Sequence, residues 1–385
     1  MPRFQLALLL CVLSGLAHAA EPRARDLGVP FDGTPGPLNA ITDVAGVTVG
    51  QVTLIRDLPN GHKVRTGVTA ILPRGHDTYD IPVFGAWFAQ NGNGEMTGTT
   101  WLEESGQLEG PVMLTNTHSV GVVRDAVIAE RVHAGGADAS GYWWSLPVVA
   151  ETWDGELNDI NGFHVHPGDA ARALHEAKGG PVAEGNVGGG TGMICHEFKC
   201  GIGTASRRLR VGGHDYTLGV LVQANYGLRD SLRIAGVPVG QYLRNDRIYS
   251  APNPHASDTG SIIIVVATDA PLRPDQLKRI AKRAGMGLAR MGSYAGNGSG
   301  DIFVAFSTAN AQALHDQPVQ QMSFIGNDHI DPLFEATAQA AEESIVNAMI
   351  AARDMQGDGG HYAKAISQPA LVALLKRFNR YRPPH

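Results

Sequence analysis

The sequence lacks the short motifs that identify several common classes of enzyme. No G-x-x-x-x-G-K-[ST] motif occurs, and the glycine-rich run at 185–192 has neither the lysine of a phosphate-binding loop nor the G-x-G-x-x-G spacing of a dinucleotide site. No H-E-x-x-H zinc motif and no G-x-S-x-G nucleophile motif is present. Ordinary α/β-hydrolases are therefore disfavoured, and no metal or other cofactor is expected.

Long apolar runs and strong basic patches are also missing. Beyond the first twenty residues, no apolar run reaches the roughly 18 residues that a membrane-spanning helix needs. The net charge is −6, and the basic residues are scattered along the chain. We therefore expect neither a membrane nor a nucleic acid as a partner. A chain of 385 residues with 43% hydrophobic residues is long enough to bury a sizeable core.

The first nineteen residues have the organisation of an export signal. A basic start at Arg3 precedes an apolar run at 6–16, which is followed by the small-residue cleavage sequence Ala17-His18-Ala19. Residues 1–19 are therefore predicted to be a signal peptide, and the mature protein is expected in the periplasm or outside the cell. No repeat or charged linker divides the remainder, so residues 20–385 are predicted to form one domain.

Cysteine is scarce, with three residues in the chain, and Cys11 lies in the predicted signal peptide. The remaining pair, Cys195 and Cys200, could form a disulfide in an oxidising compartment. If both lay on one strand, their odd spacing would point them to opposite faces. The sequence therefore leaves the disulfide open. A metal site here would need further ligands, and His196 is the obvious neighbour.

Apolar or alternating runs bounded by Gly, Pro, Asn or Asp predict strands, and two stretches with helical spacing predict amphipathic helices. The strands cover 64–72, 82–88, 216–224, 262–267 and 302–306, and the helices cover 277–288 and 334–349. Each helix has an apolar stripe that would pack against a sheet. The order of strands and helices has no regular βαβ rhythm, which favours a layered α+β fold over a doubly wound parallel sheet.

One segment has a composition that suits self-cleavage. A polar, proline-rich loop at 251–259 ends in Gly260-Ser261, and a β-branched apolar run follows at 262–267. That run is typical of a strand buried on both faces, which would hold Ser261 in place after a cut before it. The new terminus would carry a hydroxyl nucleophile and an α-amine, whose ordinary pKa of about 7.7 to 8.0 suits a general base. A simple turn is the alternative interpretation of this pattern.

Six stretches spread over nearly the whole mature chain carry a more specific signal. They are ETWDG at 151–155, LNDINGF at 157–163, EGNVGGGTG at 184–192, GIG at 201–203, VQANYG at 222–227 and NGSGD at 297–301. In sequence and in order they are similar to stretches of the DmpA/BapA family of L-aminopeptidase/D-esterases and β-peptidyl aminopeptidases. The resemblance implies an αββα sandwich like that of N-terminal-nucleophile hydrolases, with different strand connectivity. It also implies self-cleavage into chains 20–260 and 261–385, and a homo-oligomer of such two-chain units.

The resemblance also assigns catalytic positions. The family's nucleophile opens the second chain and matches Ser261, with Gly260 before the cut. A later serine with an acidic residue two positions beyond it matches Ser299 and Asp301. Relatives carry glutamate in place of this aspartate, and the shorter carboxylate would accept a hydrogen bond from a different distance. The family's oxyanion donor, an asparagine before Tyr-Gly, matches Asn225, for which a turn residue is the alternative interpretation.

Glu151 and Trp153 match a Glu-x-aromatic sequence of the family. An aminopeptidase needs an anion close to the free ammonium of its substrate, a small peptide or amide, so Glu151 is the expected partner of that group. A structural ion pair is its alternative role. Some relatives have tyrosine at the position of Trp153, so a hydroxyl role is lost here and Trp153 is expected in the core or the pocket wall.

Three alternatives remain open from the sequence. Ser299 also follows a glycine and precedes an apolar run at 302–306, although Gly300 and Asp301 intervene and a cut there would leave a short second chain. An acyltransferase of similar architecture would use a threonine nucleophile, and Thr259 is two residues early. A periplasmic binding protein with this fold would leave the chain uncut.

Overall fold

A computed structural model describes residues 22–77, 81–135, 144–248, 260–314 and 318–384. The predicted signal peptide and the proline-rich loop at 251–259 lie outside the described residues. Within the described ranges, no helix combines the length and the apolar character needed to cross a membrane.

The described chain contains fourteen strands and seven α-helices, connected in several places by short 3₁₀ turns. The strands are β1 (Thr48–Asp57), β2 (Lys63–His76), β3 (Val83–Gly92), β4 (Gln107–Leu108), β5 (Val112–Asn116), β6 (Val148–Thr152), β7 (Ile194–Cys195), β8 (Phe198–Lys199), β9 (Ile202–Val211), β10 (His214–Asn225), β11 (Ser261–Thr268), β12 (Gly300–Ser307), β13 (Met355–Gln356) and β14 (Tyr362–Ala363). The helices are α1 (Thr99–Ser105), α2 (Val120–Ala134), α3 (Pro167–His175), α4 (Val239–Tyr242), α5 (Pro274–Arg290), α6 (Asp331–Ala351) and α7 (Gln368–Arg377).

Two mixed sheets form the centre of the fold. One has the strand order β1-β2-β5-β6, and the other has the order β4-β3-β12-β11-β10-β9. Most neighbouring strands are antiparallel, but β5 pairs with β6 and β11 pairs with β12 in parallel. The hairpins β7-β8 and β13-β14 stand apart from both sheets. The five predicted strands and the two predicted helices fall within these elements, with shifts of a few residues at their ends.

The side chains of β11 show how the layers stack. Ile263 and Val265 pack in one core with Ile71 of the four-stranded sheet. Ile262 and Ile264 point the other way, into a core shared with α5 and α6, because successive residues of a strand face opposite sides. The outer face of the four-stranded sheet packs on α2 and α3. The layers therefore run helix, sheet, sheet, helix, which is the expected αββα arrangement.

Candidate active site

Three strands bring the expected nucleophile and its neighbours to one end of the six-stranded sheet. Ser261 is the first residue of β11 and pairs with Asn225, the last residue of β10. On its other side it pairs with Gly300, the first residue of β12. The two pairings hold Ser261 between residues that are far away in the sequence, and all three strands are buried at this end.

The Ser261 side chain is buried, and its hydroxyl has no hydrogen-bond partner among the described residues. The residue is 5% exposed, and its Oγ makes no hydrogen bond to any residue that the structure describes. A buried polar group without a partner costs about 1 to 3 kcal/mol, and such a cost in a folded protein calls for an explanation. Availability for attack on a carbonyl carbon supplies one.

Gly260 lies so close to β10 that a side chain has no room there. A Cβ at this position would be 2.3 Å from Tyr226 Cα and 2.4 Å from the Asn225 carbonyl oxygen. The Gly260 carbonyl oxygen accepts a hydrogen bond from the Gly300 N–H at 3.0 Å. This donor polarises the carbonyl next to Ser261. The sequence did not identify Gly300 as a functional residue because a backbone donor leaves no side-chain signal, although it lies inside the stretch 297–301.

Ser299 and Asp301 flank Gly300 and are hydrogen-bonded to each other. The Ser299 hydroxyl donates to Asp301 Oδ1 at 2.7 Å, and both residues are buried. The shorter aspartate therefore reaches the serine. Because β12 begins at Gly300, the strand follows Ser299 directly, and the argument that intervening residues disfavour Ser299 as nucleophile is wrong. What separates the two serines is that the Ser299 hydroxyl is held by Asp301, whereas that of Ser261 has no described partner.

Asn225 is a strand residue with a fixed side-chain amide, not a turn residue. Its Oδ1 accepts a hydrogen bond from the Ile194 N–H at 2.8 Å, and its Nδ2 donates to the Trp153 carbonyl oxygen at 2.8 Å. An amide nitrogen carries two N–H donors, so one remains for another acceptor. Since Asn225 pairs directly with Ser261, that donor is suited to an oxygen of a group that Ser261 attacks.

Glu151 lies in β6 of the other sheet and reaches toward the same end. Its Oε1 accepts a hydrogen bond from the Glu95 N–H at 2.9 Å, and its Oε2 accepts one from the Thr117 hydroxyl. A Cβ at Gly94 would lie 3.2 Å from Glu151 Oε1 and 3.3 Å from Gly300 Cα, which shows how near the carboxylate is to the start of β12. Thr117 follows β5, the parallel neighbour of β6, and the sequence did not single it out.

The Glu151 carboxylate is buried without a cationic hydrogen-bond partner among the described residues. Burial raises the pKa of the Glu151 carboxyl, and the hydrogen bonds from Thr117 and Glu95 oppose this shift. These contacts do not support the alternative role of Glu151 as half of a structural ion pair. A carboxylate that accepts two hydrogen bonds retains lone pairs for a third donor.

Trp153 exposes 43% of its surface, so it is not a core residue. Its indole ring packs over Gly155, where a Cβ would be 2.5 Å from the ring. The Trp153 carbonyl oxygen holds Asn225 Nδ2, which places the residue beside the candidate site. This position fits a pocket wall, the second of its two expected roles.

The two remaining cysteines form a disulfide next to this site. Cys195 ends β7, Cys200 follows β8, and their Cα atoms are 5.3 Å apart. The chain reverses between them at His196 and Glu197, which have φ angles of 47° and 63°. The argument from one-strand spacing does not apply because the cysteines lie on opposite sides of a turn. The disulfide also leaves no thiolate for a metal.

Elsewhere in the described part of the chain, one group of side chains has donor atoms close enough together to hold a metal ion. Donor atoms of His62, Asp159 and Asp358 all lie within 4.8 Å of one another. His62 Nδ1 already pairs with Asp358 at 3.1 Å, and Asp159 pairs with His164 Nε2 at 2.9 Å. These hydrogen bonds account for the grouping. None of the four residues contacts the candidate catalytic residues in a described hydrogen bond or ion pair.

Comparisons with known proteins agree with this geometry. The sequence model of peptidase family S58 matches residues 39–363. The chain is 53% identical to beta-peptidyl aminopeptidase BapA of Sphingosinicella microcystinivorans, over 96% of each chain. This identity extends far beyond the residues of the candidate site.

Two solved structures match over nearly all of their lengths. One is the L-aminopeptidase D-Ala-esterase/amidase of Ochrobactrum anthropi, described as a prototype of the serine aminopeptidases with a variant of the Ntn hydrolase fold. It is 47% identical to this chain with a TM-score of 0.87, and the match covers 94% of this chain and 100% of the other. A beta-aminopeptidase of Burkholderia sp. is 48% identical with a TM-score of 0.83, and the match covers 92% and 99%. The chain therefore belongs to peptidase family S58, and it is an aminopeptidase with the Ntn-type serine hydrolase fold.

Proposed function

We propose that this chain cuts itself before Ser261 and then uses Ser261 as an N-terminal nucleophile to release N-terminal residues from small peptides or amides. The observation that carries the proposal is the Ser261 hydroxyl, which is buried and has no hydrogen-bond partner among the described residues. It belongs to a residue that pairs with Asn225 on one side and with Gly300 on the other. Membership of a peptidase family argues against an acyltransferase and against a binding protein. The relatives named as β-aminopeptidases support substrates that begin with a β-amino residue.

Self-cleavage would begin with attack of Ser261 Oγ on the Gly260 carbonyl carbon. The Gly300 N–H donates to the Gly260 oxygen, so it would stabilise the negative charge that develops there. The C–N bond then breaks, the acyl group is carried as an ester on Ser261, and the α-amine of Ser261 takes the proton. Water hydrolyses the ester and leaves a carboxylate on Gly260 and a free Ser261 terminus.

Turnover would repeat this chemistry on a substrate carbonyl. The Ser261 α-amine takes the hydroxyl proton as Oγ attacks, and the second Asn225 N–H donates to the oxyanion. The proton passes to the departing amine, and water then releases the acyl group. Ser299, held by Asp301 at 2.7 Å, would orient the Ser261 terminus.

Glu151 would bind the substrate ammonium and restrict the enzyme to N-terminal residues. The hydrogen-bond donors to this buried carboxylate among the described residues are neutral, and an incoming ammonium would supply a cationic one. Trp153 would form the exposed wall of the same pocket.

We further propose that residues 1–19 direct export to the periplasm or beyond, an oxidising environment in which the disulfide can form. The processed units would assemble into a homo-oligomer, as the resemblance implies.

Glu151→Gln is expected to reduce kcat/KM for substrates with a free amine by about 1.5 to 3 kcal/mol, the range for hydrogen bonds to charged groups. The amide keeps the size of the side chain but loses the charge. The test compares β-alanine p-nitroanilide with its N-acetyl derivative for the wild type and the variant. Glu104→Gln is the matched control, because this exposed glutamate makes no described hydrogen bond or ion pair. Equal discrimination by the wild type and Glu151→Gln would refute the assignment.

The pH dependence of KM gives a second test of Glu151. Burial raises the pKa of this carboxyl, so protonation begins at a higher pH than for an exposed glutamate. As the pH falls through the raised pKa, the carboxylate is neutralised and KM for the free-amine substrate should rise. Steady-state kinetics from neutral to acidic pH should show this rise in the wild type and a flat KM in Glu151→Gln. The same rise in both proteins would assign the titration to another group.

A further inference from the structure

The hairpin of β7 and β8 lies against the end of β10 that carries Asn225. The Ile194 N–H donates to Asn225 Oδ1 at 2.8 Å, and the His196 N–H donates to the Tyr226 carbonyl oxygen at 2.7 Å. These two hairpin residues stand on either side of Cys195 in the sequence. The hairpin therefore contacts both the side chain of Asn225 and the backbone just after it.

The Ile194 contact is one of two that fix which way the Asn225 amide points. The oxygen and nitrogen of an amide have nearly the same shape, so only their partners fix the orientation. Here a donor holds Oδ1 and the Trp153 carbonyl holds Nδ2. If the Ile194 N–H moved away, the Trp153 carbonyl alone would hold the amide. The side chain could then shift or rotate away from the orientation in which an N–H, and not the oxygen, faces a developing oxyanion.

The turn of this hairpin is an unfavourable one for its sequence. His196 and Glu197 both have positive φ angles, in a two-residue turn where Asn-Gly is the preferred pair. Arg229, a buried residue outside the hairpin, holds the turn. Its Nε donates to the His196 carbonyl oxygen at 2.9 Å, and its Nη2 donates to the Glu197 carbonyl oxygen at 2.6 Å. The turn thus depends on contacts that compensate for its backbone conformation.

The open end of the hairpin is closed by the disulfide and by a buried lysine. The Cys200 N–H donates to the Met193 carbonyl oxygen at 3.0 Å. Lys199 Nζ donates to the carbonyl oxygens of Met193 and Cys200 at 2.8 and 2.7 Å. Both sulfurs are fully buried, so the bond is a permanent brace and not an accessible thiol switch. It links the residue after Ile194 to the far side of the turn.

We propose that the Cys195–Cys200 disulfide is a positioning element for the oxyanion donor: it holds the Ile194 N–H on Asn225 Oδ1 and so keeps an Asn225 N–H directed at the reacting carbonyl. The inference rests on the proposed role of Asn225. The disulfide closes a loop with a sequence separation of only five, and short loops contribute less to global stability than long ones in the chain-entropy account. We therefore expect its removal to change the local geometry and kcat more than the global stability.

The test is the double variant Cys195→Ser/Cys200→Ser, assayed after processing with β-alanine p-nitroanilide well below its Tm. Loss of one oxyanion donor lowers kcat by about 10²- to 10³-fold, so a misoriented donor should lower kcat on the order of tenfold. KM should stay within about twofold because Glu151 and the pocket wall are untouched. If the serine pair fails to fold, Cys195→Ala/Cys200→Ala avoids burying two hydroxyls and is assayed in the same way.

A double-mutant cycle with Asn225→Ala separates positioning from general destabilisation. If the disulfide acts through Asn225, its removal should change kcat less than twofold in the Asn225→Ala background. Wild-type kcat in the cysteine variant, or an equal loss of kcat in both backgrounds, would overturn the proposal. The proposed role of Asn225 fails separately, if Asn225→Ala alone keeps full kcat.

Discussion

Ser261→Ala should yield one intact, folded chain without peptidase activity. The substitution removes the oxygen that attacks Gly260 and, later, the substrate, so cleavage and turnover are lost together. Removal of a catalytic nucleophile costs on the order of 10⁶ in kcat in a serine peptidase. A denaturing gel should show a single band for the variant and two for the wild type, and N-terminal sequencing of the smaller wild-type chain should begin Ser-Ile-Ile-Ile.

The control for this experiment is Ser323→Ala, because Ser323 is exposed and its described contacts with Asn310 use the backbone. That variant should process and react like the wild type. A smaller chain that begins at Ser299, or a Ser261→Ala protein that keeps peptidase activity, would show that the nucleophile has been misassigned. Circular dichroism and thermal unfolding of Ser261→Ala establish that it is folded.

Asn225→Ala should lower kcat by about 10²- to 10³-fold, or 2.7 to 4 kcal/mol, because it removes the proposed donor to the oxyanion. KM should change little, since the interaction is made in the transition state. Self-cleavage should continue, because the Gly260 oxygen is held by the Gly300 N–H and not by the Asn225 side chain. Kinetics on the purified variant and a denaturing gel measure the two effects independently.

Asn186→Ala is a matched control for the hydrogen bonds that this variant also loses. Like Asn225, Asn186 uses both ends of its amide on the backbone: its Nδ2 donates to the Arg353 carbonyl oxygen, and its Oδ1 accepts from the Arg353 N–H. Its loss should affect stability without lowering kcat. If Asn225→Ala retains more than half of wild-type kcat, or if it blocks processing, the separation of the two oxyanion donors is wrong.

The pattern of apolar residues along the chain was sufficient to predict the strand that begins with the nucleophile. The run after Ser261 is apolar at every position because both faces of β11 are buried, one against the other sheet and one against helices. The alternation of apolar and polar residues is weaker in β9, because this strand contains a buried arginine. Arg207 is paired there with Glu343 of α6 at 2.7 Å. A buried ion pair between distant residues cannot be recognised from one strand's composition.

The sequence predicted which residues form the site but not which hydrogen bonds hold them in place. Resemblance gave the positions of Ser261, Asn225 and Glu151, yet the environment of each depends on backbone groups. The donor to Gly260 is an N–H, and the partner of the Asn225 oxygen is the N–H of Ile194. Every residue except proline carries such a donor, so the sequence holds no trace of which ones are used. The disulfide was hidden for a related reason, since positive φ angles at His196 and Glu197 contradict their usual preference.

The position of β11 and β12 has a consequence for how the protein can be made. Both strands follow the proposed cut, yet they lie inside the six-stranded sheet, between β10 and β3, which precede it. Once the peptide bond is gone, reassembly from the denatured state becomes an encounter of two molecules, and its yield should depend on protein concentration. The uncut chain would thus be needed for the first folding only. After the cut, the lifetime of the folded enzyme would be set by its rate of unfolding and not by a reversible folding equilibrium.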